Sequence, residues 1–237
     1  MYNKKNYIDR HSNTEYSAKS IIDLLINEIN EINSCVDVGC GVGTWLAELN
    51  KRGASRIQGI EGTWLAESHI VIPPECIKKY DLNKRIILNS TYDLAISLEV
   101  AEHLLPERAK SFVDDLCNLS SIILFSAAVP GQKDKTHINE QWPEYWASLF
   151  KERGYNAYDF IRWKIWNDEH IPYWYRQNII LYINKSVNIN ENIKKSLCDS
   201  PLSVVHPILL KSQSDLSVGQ ALKIAGISLI NSLKKKF

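Results

Sequence analysis

Apolar residues change their spacing along this chain, and each change marks an element. Over residues 17–32, Ile21, Leu24, Leu25, Ile29 and Ile32 recur at three- and four-residue steps, which predicts a helix with one apolar face. Cys35, Val36 and Val38 then form a short β-prone run that stops at glycines. Trp45, Leu46 and Leu49 restore helical spacing until Gly53. Strands are predicted over 56–62 (RIQGIEG), 76–80, 92–100 (YDLAISLEV), 121–129 (SIILFSAAV), 155–162 and 178–183. Helices over 106–118 and 142–153 separate the later ones, the second halted by Gly154. YDLAISLEV alternates little, as strands buried on both faces of a parallel sheet do. This alternation from 35 to 183, without an internal repeat, predicts a doubly wound, Rossmann-like α/β fold. Its sheet has seven mostly parallel strands with helices on both faces.

Three parts follow from the same pattern: a helical cover over 1–33, a sheet domain over 34–185 and a helical tail over 186–237. The last boundary rests on a shift to Asn, Lys and Ser from Asn184. Within the tail, residues 216–237 put Val218, Leu222, Ala225, Leu229 and Leu233 along one side and end in three lysines. Such a helix suits docking on the protein or on a partner subunit, a homodimer included, or contact with an anionic membrane surface.

Composition narrows the function classes. A net charge of +1 gives no field to gather nucleic acid. The five cysteines contain no C-x-x-C pair, so neither a disulfide framework nor a zinc site is suggested, and the expected compartment is a reducing cytoplasm. The polar N-terminal stretch has no secretory signal pattern, and no apolar run approaches the roughly 20 residues of a membrane span.

The chemistry begins where the first strand meets its glycines, in VDVGCGVGTWL. Asp37-x-Gly39-x-Gly41-x-Gly43 strips side chains from a sharp strand-to-helix turn, so a ligand can lie against backbone and face helix N-terminal amides. A dinucleotide fingerprint fails here, because Thr44 and Leu46 stand where its third glycine is needed. Glu61, at the tip of the second strand about 20 residues on, is placed to accept hydrogen bonds from ribose hydroxyls. Asp37, Gly39, Gly41 and Gly43 resemble motif I of class I S-adenosylmethionine-dependent methyltransferases. That resemblance implies S-adenosylmethionine as cofactor, held by these residues and Glu61. It also implies Asp81 against the adenine amino group, a residue that could equally cap a turn, and Glu99 in the lining of the cofactor cleft.

Glu99-x-x-Glu102-His103 leaves the fourth strand at its carboxyl end, facing the same cleft. Two chemistries suit it besides a purely structural role. His103, with Glu102, can do general acid/base work on an attacking hydroxyl. Alternatively, Glu99, Glu102, His103 and His137 resemble the Glu-Glu-His-His divalent-cation site of methyltransferases that modify the terminal ribose of plant small RNAs, which implies an ion such as Mg2+. His137 lies in a long loop, 130–143, of the kind that covers active sites, and is expected to be needed for turnover. From the same region Glu140 can contact a polyol and Trp142 can stack on a ring. Trp142, Tyr145 and Trp146 share one helical face, and at least two are expected to point inward. Arg176 suits an anionic substrate group, or else a surface pairing with Asp168 or Glu169.

LEVAEHL, FSAAVPGQ, HINEQWPEYW, IWNDE and YWYRQN together resemble a bacterial methyltransferase subgroup associated with polysaccharide and natural-product gene sets, over residues 30–185. The implied activity is O-methylation of a sugar, glycan or related small molecule. RNA ribose, a quinone or phenol, and a non-catalytic cofactor-binding module of a glycan-modifying complex are the alternatives.

Overall fold

The computed structural model describes residues 4–29, 31–65, 69–199 and 203–214, with side chains of those from 14 to 212. Residues up to Val204 form one compact unit, and those from Val205 form a second. In the first, α1 (Lys4–Ile26) precedes β1 (Ser34–Val38), α2 (Thr44–Lys51), β2 (Arg56–Glu61), β3 (Ile77–Lys79) and β4 (Leu94–Leu98). Then come α3 (Ala109–Leu119), β5 (Ile122–Ser126), α4 (Pro143–Glu152) and β6 (Tyr155–Tyr158). The unit finishes with α5 (Ile161–Ile165), α6 (Tyr173–Asn178), β7 (Ile180–Asn184), α7 (Glu191–Lys194) and β8 (Leu197–Cys198).

The strands form one sheet in the order β3-β2-β1-β4-β5-β7-β6-β8. Pairings from β3 through β5 are parallel, whereas β7 runs antiparallel to both β5 and β6. Period-two alternation sends Leu94, Ile96 and Leu98 of β4 to the face covered by α1, α2 and α5, and Ala95 to the face covered by α3 and α4. Every residue of β1 and β4 is buried, which explains their near-continuous apolar runs. On the α4 face, Phe150 stacks on Tyr182 with centroids 4.0 Å apart. Phe112 and Leu116 of α3 are fully buried there, each worth roughly 1.5–3 kcal/mol of transfer free energy.

The expected doubly wound architecture is therefore present, with differences at four places. The sheet has eight strands rather than seven. It continues past residue 185, because α7 and β8 follow and β8 pairs antiparallel with β6. The first helix reaches back to Lys4 and ends at Ile26, six residues short of Ile32. The sixth strand ends at Tyr158 because Asp159 takes two hydrogen bonds from the buried Arg162 guanidinium, a pairing made across the start of α5. Asn178 closes α6 instead of opening β7. In the second unit, α8 (Pro207–Ser214) is described. The predicted amphipathic helix over 216–237 lies outside the described residues. No helix among the described residues is long and apolar enough to cross a membrane.

Candidate active site at the carboxyl ends of the first, second and fourth strands

From β1 the chain moves outward to β2 and β3, then returns to place β4 on the other side of β1. The carboxyl ends of β1 and β4 thus flank the point where strand order reverses, at which open α/β sheets bind ligands. Gly39, Gly41 and Gly43 cross it with φ of +82°, +54° and +90°, a region that only glycine enters freely. Their roles differ. A Cβ on Gly39 would overlap Val100 and one on Gly43 would stand 2.8 Å from Ile72, so these two permit close packing. Beside Gly41 no atom lies within 4 Å of such a Cβ, which leaves a cradle of bare backbone.

Glu61 closes one side of that cradle. Its Oε2 accepts from the Gly41 N–H at 2.6 Å and its Oε1 from the Gly62 N–H at 2.7 Å. Burial pushes its carboxyl above the ordinary value, against the opposing pull of those two amides. Asp37, two residues before Gly39, is also buried and has an oxygen, Oδ2, with no hydrogen-bond partner. Its pKa is raised well above the usual range, first by burial and then by the nearby Glu61 charge. An ionised carboxylate has about four acceptor positions, so Glu61 retains capacity for a ribose diol while holding both amides.

The raised pKa values have a defined sign. A carboxyl whose folded pKa lies above its unfolded value favours folding most when protonated. Its contribution is complete below the unfolded value and is lost as pH rises through the folded one. The ligand-free protein should therefore lose melting temperature relative to Asp37→Asn as pH rises from about 4, the ordinary unfolded carboxyl value, towards neutrality. Thermal melts of both proteins across that range measure the gap, and a gap constant with pH would remove the buried-charge account of Asp37.

At the end of β4, Glu99 adopts φ +55° and its N–H donates to the Ser126 carbonyl oxygen at 3.0 Å and to Ser126 Oγ at 3.1 Å. The chain then makes a 3₁₀ turn over Ala101–His103. Glu102 is fully buried and no side chain hydrogen-bonds its carboxylate oxygens. Burial, and then the adjacent Glu99, push its carboxyl well above the ordinary range, and only the backbone N–H groups of Glu102 and Ala128 pull it downward. The Glu102 carbonyl oxygen accepts from the N–H groups of Ile138 and Asn139, at 2.9 and 3.0 Å, which bolts the 130–143 loop to this turn. His137 is thereby brought to His103, with ring centroids 4.9 Å apart. Ligating atoms of Glu102, His103 and His137 all lie within 4.8 Å of one another.

Sequence reasoning anticipated this convergence of Glu102, His103 and His137, but not the surroundings. Glu99, expected in the same set, turns its oxygens to Asn178 and Gln132 instead. Glu140, expected to face a polyol, accepts from the Gly131 and Lys133 N–H groups at 2.8 and 2.7 Å and pairs with His137 Nδ1 at 2.8 Å. Both of its oxygens thus serve the loop. Burial works to raise the Glu140 carboxyl, yet these hydrogen bonds outweigh it and the net shift is downward. With an ionised Glu140 as acceptor, His137 Nδ1 is the donor and the neutral ring keeps its lone pair on Nε2.

The remaining positions divide. Asp81 sits on an exposed turn past the end of β3 and accepts from the Asn83 N–H at 3.1 Å. Of the three aromatics, only Trp146 points inward. Pro143 starts α4, which leaves Trp142 outside the first turn at 39% exposure, and Tyr145 is 36% exposed. Arg176 is buried rather than paired on the surface. Its Nη1 donates to the Trp166 carbonyl oxygen at 3.0 Å and its Nε has no partner, while Asp168 accepts from Tyr16 and the His170 N–H. The buried amides Asn178 and Gln177, and Gln132 beside them, were missed. Their only signal was a polar Gln-Asn pair set directly before an apolar strand.

No family model matches the chain, and no curated protein matches its sequence. Solved structures do match. The chain is similar to magnesium protoporphyrin IX methyltransferase (ChlM) from Synechocystis with bound S-adenosylmethionine, at 18% identity and a TM-score of 0.54, over 78% of this chain and 86% of that one. It is similar to DesVI of Streptomyces venezuelae at 12% identity and a TM-score of 0.55, over 78% and 99%. A third is an S-adenosylmethionine-dependent methyltransferase from Archaeoglobus fulgidus, at 19% identity and a TM-score of 0.51, over 72% and 94%. The chain therefore has the fold of class I methyltransferases.

Proposed function

We propose that this chain is an S-adenosylmethionine-dependent O-methyltransferase acting on a hydroxyl of a sugar, glycan or related small molecule, with a divalent cation at the end of β4. One observation carries the reading. A fully buried carboxylate without a side-chain hydrogen-bond partner, Glu102, lies within ligating distance of two imidazoles beside a bare-backbone turn. Buried unpaired carboxylates are costly and are retained where an ion or a reaction uses them.

The residues fit the cosubstrate. Gly41 offers open space, Glu61 an acceptor for the ribose, Asp37 an unpartnered oxygen, and Asp81, exposed on the turn after β3, an acceptor for the base amino group. S-adenosylmethionine brings an activated methyl on sulfonium sulfur, so the protein's task is mainly alignment, worth roughly 7–11 kcal/mol when complete. Two imidazoles and a carboxylate likewise fit a divalent cation, which would lower the pKa of a bound hydroxyl. Glu140 fixes the His137 ring, and Trp142 offers an exposed face for a ring to stack on. Arg176, buried with an unpartnered Nε, would answer an anionic group on the acceptor. The near-neutral charge of the chain supports a small acceptor over RNA.

The test is formation of S-adenosylhomocysteine from S-adenosylmethionine with pooled sugars and glycans, phenols and RNA. Turnover is expected with the sugar pool, to be lost on chelation and restored by added Mg2+ or Mn2+. His137→Ala should lower turnover by about 10²-fold or more while leaving S-adenosylhomocysteine affinity within threefold. Binding of the cosubstrate without turnover on any pool would instead make the chain a binding module.

A further inference from the structure

Glu99 is held by neutral amides rather than left to the histidine cluster. Asn178 Nδ2 donates to Glu99 Oε1 at 3.0 Å and lies 3.3 Å from Oε2, to which Gln132 Nε2 donates at 3.1 Å. The amides also hold one another. Asn178 Nδ2 reaches Gln132 Oε1 at 3.1 Å, and Gln177 Nε2 donates to Asn178 Oδ1 at 2.9 Å. Gln177 and Asn178 are buried at the end of α6, Asn178 lying 79 residues from Glu99 in sequence, so the clamp is a tertiary device set by α6 packing. Glu99 itself keeps a left-handed backbone conformation, uncommon for a residue with a Cβ, and its N–H is tied to Ser126. The convergent group beside it comprises Glu102, His103 and His137.

We infer that Asn178, backed by Gln132 and Gln177, is a positioning residue that withholds Glu99 from the cation, so that the ion is held by Glu102, His103 and His137 alone. The inference rests on the cation reading proposed above. Amide N–H groups orient the Glu99 carboxyl without pairing it with a charge, although burial outweighs them and leaves its pKa raised, so its oxygens are positioned towards the amides and not towards the cation. Releasing the clamp frees a second carboxylate beside Glu102, which would add a fourth protein ligand.

Co2+ added to the full-length, metal-stripped protein supplies the probe, read by its visible ligand-field bands and by titration. Glu99→Gln is expected to bind Co2+ with the wild-type spectrum and an affinity within threefold. Asn178→Ala is expected to bind it about tenfold tighter with altered bands, and Asn178→Ala/Glu99→Gln to return to wild type. A purely structural role for Asn178 would not tighten metal binding or be reversed by the second change. A tenfold loss of Co2+ affinity in Glu99→Gln overturns the inference while leaving the cation site standing. So does an unchanged spectrum and affinity in Asn178→Ala shown to be folded by circular dichroism. Failure of folded wild-type protein to bind Co2+ removes the cation reading itself, and the inference with it.

Discussion

Gly41→Leu is expected to abolish S-adenosylhomocysteine binding, a loss of 10²-fold or more by calorimetry, in a protein that still folds. The three motif glycines make this separable. At Gly41 a side chain meets open space, so the penalty to folding is confined to the left-handed backbone, φ +54°. That penalty is roughly 1–2 kcal/mol for an L-residue. For a chain of this length it corresponds to about 2–4 °C of melting temperature per kcal/mol. The same side chain, however, fills the surface against which a nucleoside must lie. Gly39→Ala should behave in the opposite way, because its Cβ overlaps Val100 and the damage falls on packing, at roughly 1–3 kcal/mol beyond the backbone strain. Retention of S-adenosylhomocysteine affinity by a folded Gly41→Leu protein would show that the ligand lies elsewhere.

That contrast could not be drawn from the sequence, where the three glycines look equivalent. Pattern located what burial alone dictates. β1, β4 and β5 are apolar on both faces because helices cover both, and their positions were legible to within about two residues at each end, except that β5 stops three residues before the expected Val129. The convergence of Glu102, His103 and His137 was legible for a related reason, since a strand end and the loop after the next strand must share one edge of a parallel sheet. Features fixed by single polar contacts were not legible. Arg162 reaching back to Asp159 turns two residues of an expected strand into a helix start. Glu140 looked available to a substrate until the loop folded its own amides onto it. The amide clamp on Glu99 joins residues far apart in sequence, and buried Asn and Gln obey no period.

Glu102→Met should produce the largest change in stability, with a sign that depends on the cation. In wild-type protein without cation, a fully buried carboxyl has no side-chain hydrogen-bond partner and only backbone amides near it, a cost of up to roughly 1–3 kcal/mol. An unbranched apolar side chain of similar length removes that cost, and its chain neighbours Ala101 and Leu104 already belong to the apolar core on the α3 face. In the presence of chelator the variant is therefore expected to melt higher than wild type, by about 2–4 °C for each kcal/mol recovered. Cation reverses the order. A ligand at 100 times its Kd stabilises the folded state by about 2.7 kcal/mol, and only the chain that retains Glu102 can gain it. Melting curves with EDTA and with excess Mn2+ should thus cross between the two proteins. A variant that melts below wild type in EDTA would mean that Glu102 is satisfied inside the fold, and the strongest reason for placing an ion there would be gone.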